Sequence, residues 1–170
     1  MPIRAIAACL LGSILWPSAL FAVAPRGPST PAERKQALEF IHHFEADPLN
    51  PDLKTEIQWV LNWSMEVPDI RLDLCTSFYK LSDAQSKDGQ ILFDAMVLAQ
   101  TAFVLENPDR QDNGPAQMEA GAEGVLRAYE ALIKANPKDR EPFLDKLIKQ
   151  REAGTLSQFL KQHAPSACGN

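Results

Sequence analysis

An all-α fold, an irregular bundle of five to seven helices in a single domain, is what this sequence of 170 residues predicts, on three observations. Apolar residues recur at three- and four-residue spacing through most of the chain. Short Pro- and Asn/Asp-bearing breaks separate the periodic stretches. The alternating run Ile70 to Leu74 finds no second strand to pair with, and an isolated strand is not stable.

Residues 1–24 stand apart from that fold. Arg4, the apolar run from Ala5 to Leu15 and the triplet Ala22-Val23-Ala24 have the layout of a secretory signal peptide, so the chain is expected to be periplasmic or secreted. A permanent anchor needs about 20 uninterrupted apolar residues, and Gly12, Ser13, Pro17 and Ser18 dilute this run. Cys9 precedes the apolar core, which argues against a lipid-modified cysteine. No later stretch reads as a bilayer span, so no stable membrane insertion of the mature chain is expected.

Residues 25–30 read as a flexible leader, disordered or extended, 31–163 as the helical domain and 164–170 as an irregular tail. Thr30-Pro31-Ala32-Glu33 has the form of a capping box with proline at the first helical position, opening a helix to about Ala46. Ala37, Leu38, Ile41 and Phe44 mark its apolar side. Asn50-Pro51-Asp52 opens a second helix in the same way, with Leu53, Ile57, Val60, Leu61 and Ser64 inward. Trp59 and Trp63, four apart, stack on one flank. Pro68 stops that helix at Val67.

Ile70 to Leu74 is then either an extended connector or, the preferred reading, a short helix with Ile70, Leu74 and Phe78 on one side. Ser82-Asp83-Ala84-Gln85 has the form of another capping box, and the main helix begins near Asp88. That helix is apolar nearly all round and is expected at the bundle centre. Ala116 to Ala135 gives the cleanest amphipathic pattern. Gly121 and Gly124 within it cost about 1 kcal/mol each relative to alanine, which close approach of a neighbouring helix would offset. Two short helices follow, one carrying Phe143, Leu144, Leu147 and Ile148 and ending near Gly154. The other opens at a capping box Thr155-Leu156-Ser157-Gln158.

The stretch from Val125 to Leu147 resembles one helix and the turn of a tetratricopeptide pair, repeats of about 34 residues that come in series. No second copy stands at that spacing, and no function is carried over from the resemblance.

Seventeen basic residues against 22 acidic give a formal charge of −5, which offers no basic stripe for a phosphate backbone and argues against a nucleic-acid partner. Acidic residues concentrate between Glu39 and Leu74, basic ones between Lys138 and Lys161. Without Cys9, the exported chain keeps Cys75 and Cys168, which are expected to form a disulfide in an oxidising compartment. No metal or other cofactor is expected. His42 and His43 with Glu39 or Glu45 make at most half a metal site, and solvated helix-surface residues account for them better. Asn62-Trp63-Ser64 matches a glycosylation acceptor.

No catalytic residue is assigned. The expected binding surface is Trp59, Trp63, Glu66 and Asp69, offered to a protein partner with a basic surface. The function this supports is an exported interaction module of the inhibitor, immunity or assembly type. The alternatives are a carrier of a small apolar ligand or lipid inside the bundle, and a small hydrolase using Glu66 and Asp69 as acid and base.

Overall fold

The computed structural model describes residues 26–74 and 88–163. Among the described residues the chain forms six α-helices and no strand, packed as an irregular bundle. They are α1 (Pro31–Ala46), α2 (Lys54–Glu66), α3 (Gly89–Glu106), α4 (Gly114–Ala135), α5 (Pro142–Glu152) and α6 (Leu156–His163).

Local chemistry sets most boundaries. At α1 the Thr30 hydroxyl accepts from the Glu33 N–H at 3.2 Å, and the Glu33 carboxylate accepts from the Thr30 N–H at 2.7 Å. Each of these bonds satisfies a helix-end donor that lacks an intrahelical partner. Three Asn-Pro pairs each open a three-residue 3₁₀ turn, at Pro51–Leu53, Pro108–Arg110 and Pro137–Asp139. Asn50 therefore caps a tight turn that leads into α2, its side chain accepting from the Asp52 N–H at 3.0 Å. The α5–α6 turn is a Schellman motif: Gly154 has φ +67°, its N–H reaches the Arg151 carbonyl at 2.9 Å, and the Thr155 N–H reaches Gln150 at 2.8 Å. The Thr155 hydroxyl lies 2.8 Å from the Gln150 side-chain oxygen, so it engages the end of α5 and does not close the capping box expected at α6.

The α3 helix runs through the centre. Ala95 through Ala102 are buried without a break, and α1, α2 and α4 all pack on it. By length and composition α3 could cross a bilayer, yet most of its surface is covered by the other helices. Its partner α4 buries Ala122, Val125, Leu126, Tyr129 and Leu132. Tyr129 ties α4 to the start of α5, its hydroxyl accepting from the Glu141 N–H at 2.7 Å and lying 2.9 Å from Asp145 Oδ1.

The connector after α2 corrects one expectation. Residues Ile70 to Leu74 form no helix; the chain runs on without regular structure, burying Ile70 and leaving Leu74 exposed. The cause is a side chain that sequence periodicity does not reveal. Buried Gln117 on α4 accepts from the Asp73 N–H at 2.8 Å and donates toward the carbonyls of Arg71, at 3.0 Å, and Gln111. These connector groups therefore bond to a glutamine and not to their own turn. Phe78, the Ser82–Gln85 box and both cysteines of the expected disulfide lie outside the described residues.

Candidate functional site

The expected binding surface, Trp59, Trp63, Glu66 and Asp69, forms a spatial cluster, but its members are largely used in holding the fold. Trp63 is only 2% exposed and packs with Ala37, Val67, Ile70 and Val104, so it is a core residue and offers no contact surface. The helical stripe was legible; its breadth was not, because α1 and the connector close over the flank that carries this ring. Trp59 is half-buried, stacked on Trp63 at 5.6 Å and edge-on to Phe40 at the same distance.

The two acids pin the leader. Asp69 accepts from the Ser29 N–H, the Ser29 hydroxyl and the Arg34 guanidinium, each at 2.7 Å. Glu66 pairs with Arg26 at 3.2 Å, and Arg26 also pairs with Glu33. Burial alone would raise the Asp69 carboxyl, but the bonds from Ser29 and Arg34 outweigh it and hold its pKa at about 2. So acidic a carboxyl is a poor proton acceptor near neutrality. The residues from Arg26 to Thr30, without regular secondary structure, are thus latched against the corner after α2.

This latch carries a pH signature. The folded pKa of about 2 lies below the ordinary 3.8, so the unfolded chain binds more protons between those values and stability rises with pH there. The stabilisation is complete above the ordinary value and is lost as pH falls toward 2. Asp69→Ala is expected to cost about 2 kcal/mol near neutrality, from lost charge-assisted hydrogen bonds. Urea unfolding at pH 6 and pH 2.5 checks this: the deficit should be full at the first pH and fall to about a third of that at the second, where Asp69 is still mostly ionised in the folded chain.

The histidines diverge. His43 Nδ1 lies 2.8 Å from Glu56 on α2, whereas His42 faces Glu106 on α3 at 3.9 Å. Among the described residues no group of three or more His, Cys, Asp or Glu side chains is arranged to hold a metal ion. In the Asn62-Trp63-Ser64 triplet, Asn62 is exposed and Ser64 is buried, its hydroxyl donating to the Leu61 carbonyl at 3.0 Å.

A more open site lies elsewhere among the described residues. A groove of about 570 Å³ runs between the end of α1, the turn from Pro48 to Pro51, α2 and the first turns of α3. Phe44, Leu49, Ile57, Leu61 and Ile91 give it an apolar wall, and Lys54, Gln58, Gln90 and Asp94 supply polar atoms. Burial raises the Asp94 carboxyl, and the Gln90 amide, donating at 2.7 Å, offsets part of that. Among the described residues no cation stands within ion-pair reach of Asp94. By contrast, a smaller depression of about 270 Å³ over α1, α3 and α4 holds charges that answer one another. There Glu45 pairs with Arg127, and Glu106 faces His42.

Sequence reasoning assigned Ile57 and Leu61 to the core face and α3 to full burial, and so passed over this groove. One signal pointed to it: Asp94 is the single charged residue between Gly89 and Leu105 in an otherwise apolar helix. Where the end of α1 meets α3 and α4, beside Phe44, Ala99 and Gly124, the helices pack closely. The void there is about 10 Å³, at the lower limit for a single water.

Comparison with known protein families, with curated proteins and with solved structures finds no match, so the reading of this site rests on its own geometry.

Proposed function

We propose that the chain is an exported helical interaction module that holds a partner in the groove formed by α1, α2 and α3. The observation that carries this reading is the groove itself, an apolar trough with a partly buried carboxylate that, among the described residues, has no cation within ion-pair reach. An unpaired, partly buried charge costs free energy unless something satisfies it, and half-covered aliphatics gain from being covered. Both costs fall when a partner docks. The Glu66–Asp69 corner contributes indirectly, by fixing the connector and the leader.

A photo-crosslinking residue at Gln58, in the groove, tests the reading in the native host against one at Gln36, on the outer face of α1. Crosslinking of one polypeptide at Gln58 that is lost with Ile57→Glu and absent at Gln36 is expected. Circular dichroism would establish that the Ile57→Glu chain is folded. No crosslink at Gln58, together with a bound small molecule in native mass spectrometry, would contradict the reading. That outcome would favour the carrier, for which the groove's volume lies within the range of ligand pockets.

Export and the Cys75–Cys168 bond belong to the same proposal. Closing a loop of over ninety residues is worth roughly 4 to 5 kcal/mol in the chain-entropy model. Intact mass after alkylation without reductant is expected to show no added label on a monomer starting near residue 25; two labels would exclude the bond.

A further inference from the structure

We infer that the occupant of the groove is a basic amphipathic helix of a partner protein, with a lysine or arginine directed at Asp94; this rests on the docking role proposed above.

Charge complementarity on an apolar trough identifies this occupant. Four of the eight acids between Glu39 and Leu74 are paired within the fold: Glu45 with Arg127, Glu56 with His43 when protonated, Glu66 with Arg26 and Asp69 with Arg34. None of these pairings lies in the groove. Asp94 inside it and Asp47 beside its Pro48 wall have no cation in reach among the described residues. Asp47 is also the C-cap of α1, where the helix already presents unpaired carbonyls and partial negative charge. An acid at that end is electrostatically misplaced unless a cation arrives. Asp52 needs no such account, because it sits in the first turn of a helix start.

Only Lys54 opposes these charges within the lining, and it is exposed, so its ammonium can turn to water while its stem covers the wall. A partner helix would lay one apolar face along Ile57, Leu61 and Ile91 and bring its cation to Asp94, the helix-in-groove mode of recognition. The chain's formal charge of −5 would steer such a partner from a distance.

The test uses three synthetic peptides of about 18 residues, long enough to be partly helical, titrated against the full mature chain by calorimetry. One is a leucine–lysine peptide with a single apolar face, the second its leucine–glutamate counterpart, and the third the lysine peptide with its order scrambled. The lysine peptide is expected to bind, with at least tenfold preference over the other two. Asp94→Asn, which keeps the shape of the side chain, should weaken it about tenfold, equivalent to about 1.4 kcal/mol. Raising salt should weaken it further, and Glu39→Gln, on the outer face of α1, should leave it within twofold.

Equal binding of the lysine and glutamate peptides, abolished by Ile57→Glu, would overturn the charge inference and leave the docking role standing. Equal effects of Asp94→Asn and Glu39→Gln would show general attraction to an acidic chain and also overturn it. If no peptide binds while a long-chain alkylamine does, both the partner and the docking role fail in favour of a small amphiphile.

Discussion

Gly124→Leu is expected to destabilise the fold by about 3 kcal/mol or more, which for a domain of this size lowers Tm by roughly 10 °C. A Cβ at Gly124 would sit 2.5 Å from the Ala99 Cβ and 2.6 Å from the Ala95 carbonyl oxygen. The second neighbour is backbone, so it cannot swing away, and α3 and α4 would have to separate. Gly121 provides the control. Its Cβ would meet Gln100 Nε2 and Met96 Cγ at 3.0 Å, both side-chain atoms that can give by a few tenths of an ångström where backbone cannot. The gain in helix propensity of about 1 kcal/mol should then bring Gly121→Ala close to neutral. Thermal unfolding of the two variants side by side checks the contrast, and equal losses would contradict it. At this crossing the contact leaves no room for a ligand between α3 and α4.

Gln117→Leu is expected to cost about 3 kcal/mol, because it strands the Asp73 N–H and the carbonyls of Arg71 and Gln111 in a partly buried position. Gln100, equally buried on α3, behaves differently. Its amide nitrogen reaches the Asp73 carbonyl only at 3.5 Å, and its Oε1 has no hydrogen-bond partner. Replacing a poorly satisfied buried amide with an apolar group of similar size is nearly neutral or stabilising, so Gln100→Leu should cost less than about 1 kcal/mol. Urea unfolding separates the two; an equal cost for both substitutions would mean that the connector is not held by Gln117. Because the connector carries Ile70 into the cluster with Trp63, loosening it should also expose that indole, visible as a red shift in emission.

The helices were legible in the sequence because their signals are local. Capping residues at Thr30, prolines at the first helical positions and the stripe along α4 act within a turn or two of the chain, and so did the glycines that announced the close approach of α4 to α3. The connector was not legible, because what decides it is a glutamine 44 residues away from Asp73. The same limit hid how the expected surface is used within the fold. Trp63, Glu66 and Asp69 do gather around one corner, as their spacing suggested, but their partners Arg26, Ser29 and Arg34 come from the leader and α1 and take up the charges. The groove escaped notice for the opposite reason: Ile57, Leu61 and Ile91 sit on faces that periodicity marks as core, and only the three-dimensional arrangement leaves those faces partly uncovered.

The central claim is that the groove is the binding face and the Glu66–Asp69 corner is a structural latch. Carboxyl footprinting of the full mature chain, with and without the leucine–lysine peptide at saturation, tests it residue by residue through mass spectrometry. In the free chain Asp47 and Asp94 should be modified and Asp69, enclosed by Ser29 and Arg34, should resist. With peptide bound, Asp47 and Asp94 should become protected while Glu66 and Asp69 keep their free-chain reactivity. Protection confined to Glu66 and Asp69, with Asp94 unchanged, would contradict the account.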